Sequence, residues 1–128
     1  MSEEEIKVMV EKYFELVNSD SFDDFFSLFA HDAQLSAPFG FKGNSVEEIK
    51  PFYQDIPNKY KEHTDTPEQI LIEGDRAAVF IDFKGVTKKG DAVAFKASDW
   101  FEFENGKIKS LDIFFDSFTF HRKVIKPK

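Results

Sequence analysis

The feature that most constrains this chain is a single change of hydrophobic period. Before about residue 57 the apolar residues recur every three or four positions, and from about residue 66 they alternate every second one. Ile6, Val10, Tyr13 and Val17, with Met9, Phe14 and Leu16 beside them, form a helical stripe over residues 3–17, opened by a capping box of Ser2 and Glu5. Ser21 can cap a short second helix that turns Phe22, Phe25, Phe26 and Phe29 to the same core. A weakly alternating stretch, 33–39, ends at Pro38 as an edge strand, and Gly40 and Gly43 mark a loop. Ser45 with Glu48 opens a third helix carrying Val46, Ile49, Phe52, Tyr53 and Ile56. It ends at Pro57, and Pro51 is expected to kink or split it. Turns at Gly74-Asp75, Lys89-Gly90-Asp91 and Asn105-Gly106 then cut the remainder into strands near 66–73, 76–87, 92–104 and 107–120. Helices followed by an antiparallel meander define an α+β fold, with the helices packed on one face of a curved sheet. The basic end from His121 to Lys128 is expected to fray.

At 128 residues the whole chain, 1–128, reads as one domain, large enough to bury roughly two thirds of its unfolded surface. Its 17 Phe can line a cavity as well as fill a core, since each buried ring removes about 150–250 Å² from water. A net charge of −7 argues against nucleic acid or an anionic membrane as partner. Without Cys there is no disulfide or thiolate chemistry. The acidic start Met1-Ser2-Glu3-Glu4-Glu5 is unlike a signal peptide, and no apolar run spans a bilayer, so a cytoplasmic location is expected.

Alternation along 92–104 puts Val93, Phe95, Ala97, Phe101 and Phe103 on one face, and Asp99 falls among them. A carboxyl group flanked by rings loses the hydration its anion needs. Its pKa should rise, leaving a neutral hydrogen-bond donor near pH 7. Such a group can serve as an oxyanion donor, or it can be an ordinary polar group satisfied by backbone N–H. Tyr13 lies on the buried stripe of the first helix. On the opposite sheet face Trp100, Phe114 and Phe118 stand among Glu102, Asp112 and Asp116, an apolar patch that suggests a symmetric homodimer. The histidines His31, His63 and His121 have no metal-ligand spacing and read as surface residues, so no metal or cofactor is expected. No nucleophile elbow or phosphate-cradling loop is present.

The order of these pieces carries a family resemblance. A Tyr-bearing first helix, a Phe-rich second helix, the strand exit Ala33-Gln34-Leu35-Ser36-Ala37-Pro38-Phe39-Gly40, and Asp99-Trp100-Phe101-Glu102-Phe103 resemble ketosteroid isomerase and the wider nuclear transport factor 2-like superfamily, which includes SnoaL-like polyketide cyclases. The resemblance runs from about Glu5 to Phe118. It implies a cone, formed by a bent antiparallel sheet wrapped around the long N-terminal helix with two further helices, open at one end to a hydrophobic pocket. By the same resemblance Tyr13 and Asp99 take the places of the isomerase's two oxyanion donors, a tyrosine and a protonated aspartic acid. The isomerase's carboxylate base directly precedes the Pro of its first strand, where this chain has Ala37. A positioned base is worth about 10²–10⁴-fold, so the family's usual isomerisation should be impaired or absent. Asp55 is the first substitute to examine. The superfamily's epoxide hydrolase mechanism also lacks its parts, because Ile113 stands at the required place and Asp112 faces the other way. The cyclases use an acid and a pocket His, and no His can be assigned there.

Two functions follow. In one, a small, largely apolar molecule bearing a carbonyl or phenol oxygen is held by Tyr13 and Asp99 in a pocket walled by Val10, Phe26, Phe29, Ala37, Phe39, Phe52, Tyr53, Ile56, Phe83, Phe101 and Phe115, with or without proton-transfer chemistry by an altered base. In the other, the Phe rings fill the cone and the domain is a non-catalytic dimerising module. A cavity that reaches both Tyr13 and Asp99 separates them.

Overall fold

In the computed structural model, which describes residues 1–126, helix α1 spans Glu3–Asn18, and its apolar stripe buries Ile6, Val10, Tyr13, Phe14 and Val17. The capping box is complete: Ser2 Oγ accepts from the Glu5 N–H at 3.1 Å and Glu5 Oε1 accepts from the Ser2 N–H at 2.8 Å. There follow α2 (Phe22–Phe26), β1 (Phe29–Ala37), β2 (Phe41–Gly43), α3 (Val46–Gln54), α4 (Ile56–Lys59), β3 (Tyr60–Glu73), β4 (Arg76–Thr87), β5 (Ala92–Glu104), β6 (Lys107–Phe115) and α5 (Ser117–Phe120). A wide, π-type turn, His121–Ile125, closes the described chain.

One six-stranded sheet runs in the order β2-β1-β6-β5-β4-β3. Every pairing is antiparallel except β1 with β6, because the chain leaves β1 through the helices and three strands before β6 returns beside it. The sheet bends across α1. Bulges interrupt β3 between Tyr60 and Glu62 and between Pro67 and Gln69, and β5 pairs irregularly with β6 at Glu102/Phe103. Gly85 of β4 lets the first of these bulges close. A Cβ there would stand 2.9 Å from the backbone oxygen of Glu62 and 3.1 Å from the Tyr60 ring.

The alternation rules place the concave face. Val79, Ile81 and Phe83 of β4, Phe95, Ala97, Asp99 and Phe101 of β5, and Leu111, Ile113 and Phe115 of β6 all point to it, and cross-strand pairs such as Phe83 with Phe95 and Asp99 with Ile113 lock the register. Burying this face against α1, α2 and α3 makes the core.

Several local expectations are corrected. The stretch expected as an edge strand, 33–39, falls largely in β1, which lies between β2 and β6, and the expected loop at Gly40 and Gly43 contains β2, the true edge. Phe29 does not belong to the second helix but opens β1, where it pairs with Ile108, whose N–H reaches the Leu28 carbonyl at 2.8 Å. Pro51 does not split α3. The break falls at Asp55, and Pro57 starts α4 in its first turn, where no amide hydrogen is required. Strand β3 begins at Tyr60, six residues before the expected 66. The last strand stops at Phe115, because Asp116 caps a helical turn by accepting from the Thr119 N–H at 3.0 Å. Phe118 therefore lies on α5 rather than on the sheet. The segment expected to fray is helical as far as Ile125, and Pro127 and Lys128 lie outside the described residues. None of the described helices is long and apolar enough to cross a membrane.

Candidate functional site

Between the concave face, α1 and the α3–α4 segment lies a cavity of about 290 Å³. Its wall is mostly apolar, with Val17, Phe39, Phe41, Phe52, Ile56, Ile81, Phe83, Phe95, Ile113 and Phe115 prominent, and Phe120 and Ile125 added from the C-terminal turns. Seven of the lining residues carry polar groups: Tyr13, Tyr53, Lys59, Tyr60, His63, Asp65 and Asp99.

Tyr13 and Tyr53 meet first. Their hydroxyls are 2.7 Å apart, and both side chains are almost wholly buried. One hydroxyl donates to the other, so the second keeps its proton for another acceptor. Burial drives both phenols well above their usual range. For Tyr13 the next causes are the Tyr53 phenol and the Asp99 carboxyl, and for Tyr53 it is Asp99. The pair is neutral at any physiological pH.

Asp99 is 4% exposed, with Val79 and Ile113 as its cross-strand neighbours. Burial raises its carboxyl well above the ordinary carboxylate range, and the nearby charge of Asp65 adds to the rise. Among the described residues its side chain makes no hydrogen bond, yet no fully buried side-chain polar atom is left without a partner. The carboxyl oxygens therefore open onto the cavity, and their surroundings favour the protonated form, which has an O–H to donate.

Asp65 is the second carboxyl of the cavity. It stands on the concave face of β3 opposite Phe83, and desolvation raises it to about 6. Its backbone is clamped by Asn18 just past Tyr13's helix stripe: Asn18 Nδ2 donates to the Asp65 carbonyl at 2.9 Å and Asn18 Oδ1 accepts from the Asp65 N–H at 2.8 Å. β3 is an edge strand, so this amide completes hydrogen bonds that no further strand supplies. Two residues earlier His63, its side chain 7% exposed, holds Asp20 through Nε2 at 2.9 Å. Tyr60 is also raised, by burial and then by Asp65.

Tyr13, Asp99, Phe39, Phe52, Tyr53, Ile56, Phe83 and Phe115 line the cavity. Val10, Phe26, Phe29, Ala37 and Phe101 do not. Val10, Phe26, Phe29 and Phe101 are buried beneath it, with Phe101 edge-on to Tyr13 at 5.0 Å and the Phe25–Phe29 cluster packed on Tyr53, so these rings close the narrow end of the fold. Ala37 is half-buried against the core. His63 faces the cavity and is not the surface residue expected. Asp55 is exposed and held low by its bond to Lys59, which removes it as a substitute base. Ile113 lines the cavity, whereas Asp112 is on the convex face, accepting from Ser36 Oγ at 2.6 Å. Trp100 and Phe114 are more than half exposed on that same convex face, and Phe118 is exposed on α5. Among the described residues no three His or acidic side chains converge to hold a metal ion. Sequence reasoning missed Asp65 and His63, although they alternate at period two with Lys61; the only signal was that alternation, in a stretch too polar to read as a strand.

A model of the SnoaL-like domain matches residues 10–111. No functionally curated protein matches the sequence. Similar solved structures include an NTF2-like protein of unknown function from Burkholderia pseudomallei, at 19% identity, TM-score 0.87 and coverage of 97% of this chain and 98% of that one. TerC, co-crystallised with polyporic acid, shares 17% identity with TM-score 0.85, covering 96% and 99%. A protein provisionally assigned as a SnoaL-like polyketide cyclase, from Jannaschia sp. CCS1, shares 15% identity with TM-score 0.86, covering 100% and 98%. At these identities the structures share the fold.

Proposed function

The chain belongs to the SnoaL-like domain family, and we propose that its cavity binds a small, largely apolar molecule through a carbonyl or phenol oxygen. The observation that carries this reading is the Asp99 carboxyl, which faces the cavity beside the Tyr13–Tyr53 pair and has no hydrogen-bond partner among the described residues. A neutral carboxyl with no internal partner is poor structural material, because a buried donor left unpaired costs about 1–3 kcal/mol. The same group becomes favourable when a ligand oxygen accepts from it. A cavity whose remaining wall is aromatic and aliphatic selects a body without charge. The fold is compatible with small-molecule binding, since TerC was crystallised with polyporic acid.

Titration with 4-nitrophenol, whose absorbance reports its ionisation, tests the reading. Tyr13→Phe and Asp99→Leu should each weaken binding about 5- to 100-fold, the range of one buried hydrogen bond. Unchanged affinity in both variants refutes it.

A dimerising module is the second reading, favoured by Trp100 and Phe114 standing exposed on the convex face. The two roles are compatible, because that face is on the opposite side of the sheet from the cavity. The cavity itself argues against a cone completely filled by its own rings.

A further inference from the structure

We propose that Asp65 is the base of a proton-transfer reaction in this cavity, taking a proton from the carbon next to a bound carbonyl while Asp99 and the tyrosine pair hold the oxygen. This rests on the reading of the cavity as a site for carbonyl-bearing molecules. Three observations carry it. Only Asp65 and Asp99, among the described carboxyl groups, line the cavity. The Asp65 carboxyl, like that of Asp99, has no hydrogen-bond partner among the described residues, while its backbone is fixed on both sides by Asn18. The two acids stand on one concave face two residue rows apart, Asp65 beside Phe83 and Asp99 beside Val79. The same wall therefore offers a ligand whose oxygen reaches Asp99 a path toward Asp65.

Their environments also divide the roles. Asp65, raised to about 6, is ionised at neutral pH, and its charge helps keep Asp99 protonated. The other ionisable groups of the cavity are Tyr13 of α1, Tyr53 of α3, Lys59 of α4, and Tyr60 and His63 of β3 itself. Lys59 is engaged by Asp55 and His63 by Asp20, so neither pairs with Asp65.

In the reaction the C–H bond breaks, its proton forms an O–H bond on Asp65, and the electron pair delocalises as an enolate. The enolate oxygen accepts from the Asp99 O–H and the free tyrosine O–H. Asp65 then returns the proton to the same carbon or to a conjugated one. No oxidant, reductant or second substrate enters, so the balanced outcome is exchange or isomerisation.

The probe is 2-tetralone in D₂O, with loss of its C1–H signal followed by NMR, beside 4-nitrophenol binding. The wild-type chain should accelerate exchange over buffer, with a rate rising through pH about 6. Asp65→Asn should lower it at least about 100-fold in protein that still binds 4-nitrophenol. Exchange that survives in Asp65→Asn, or wild-type protein that binds 4-nitrophenol without accelerating exchange, overturns the assignment of Asp65. Phenol affinity indifferent to Tyr13→Phe and Asp99→Leu overturns the binding reading instead. Should Asp65→Asn fail to bind phenol, Asp65→Glu decides: exchange retained with a displaced pH midpoint supports the base, and exchange abolished in a variant that still binds phenol overturns it.

Discussion

Replacing Asp65 with Asn should stabilise the protein, and only above the pH at which the unfolded chain ionises that carboxyl. In the unfolded chain Asp65 titrates near its ordinary value of 3.8, whereas in the folded protein desolvation raises it to about 6. The folded state thus holds on to a proton that the unfolded state has lost, and stability is spent as pH rises between those values. The shift of about 2 pH units corresponds to about 3 kcal/mol at neutral pH, an upper figure because the carboxyl keeps some contact with cavity water. Asn is close in shape and carries no charge. In urea unfolding, the stability difference between Asp65→Asn and wild type should therefore be near zero at pH 4, grow by about 1.4 kcal/mol per pH unit through the interval, and level off above pH 6. Asp99 makes its own pH-dependent contribution in both proteins, so the difference reports Asp65 and its repulsion of Asp99. A difference that stays flat from pH 4 to pH 8 would show that the Asp65 carboxylate is solvated, and the reasoning from desolvation to a base would fail. A gain in stability at the expense of activity is the trade expected of a functional group.

Two further perturbations probe the frame around the cavity. Asn18→Ala removes both hydrogen bonds to the Asp65 backbone and should lower stability by about 1–3 kcal/mol in the same urea assay, and a loss below about 0.5 kcal/mol would show that water replaces the clamp. Trp100→Glu places a charge in the convex apolar patch. If that patch joins two copies, wild-type protein at tens of micromolar should show twice the 14.8 kDa chain mass in light scattering and the variant a single chain mass, and a monomeric wild type ends the proposal.

Much of the fold was legible because each element announces itself by a local rule that tertiary structure did not override. The capping box at Ser2 and Glu5 set the start of α1, and three Gly-containing turns set the ends of β4, β5 and the start of β6. Where local rules conflicted with tertiary pairing, pairing won. Phe29 has the spacing of a helical core residue, but β1 needs it opposite Ile108. The last strand keeps its alternation beyond Phe115, yet Asp116 ends it by offering its side chain to Thr119.

The site divides along the same line. Asp99 was visible because a carboxyl interrupts an otherwise apolar face, and alternation needs only a few apolar neighbours to register such an exception. Asp65 was invisible for the converse reason. From Tyr60 to Thr66 only Tyr60 is hydrophobic, so the concave face of this strand has no apolar background against which a carboxyl stands out. A strand normally earns its place in a sheet by burying apolar side chains on one face. This segment turns the half-buried His63 and Asp65 to the cavity instead, and it stays paired through its ladder with β4, through the Asn18 amide, and through the His63–Asp20 bond. Polar residues that alternate at period two and are held by such external ties are better explained by what they meet in the cavity than by what they contribute to folding. The position of Ala37 fits the proposal that Asp65 is the base: the strand exit carries no carboxyl, and Asp65 stands on β3, the edge strand at the far side of the sheet.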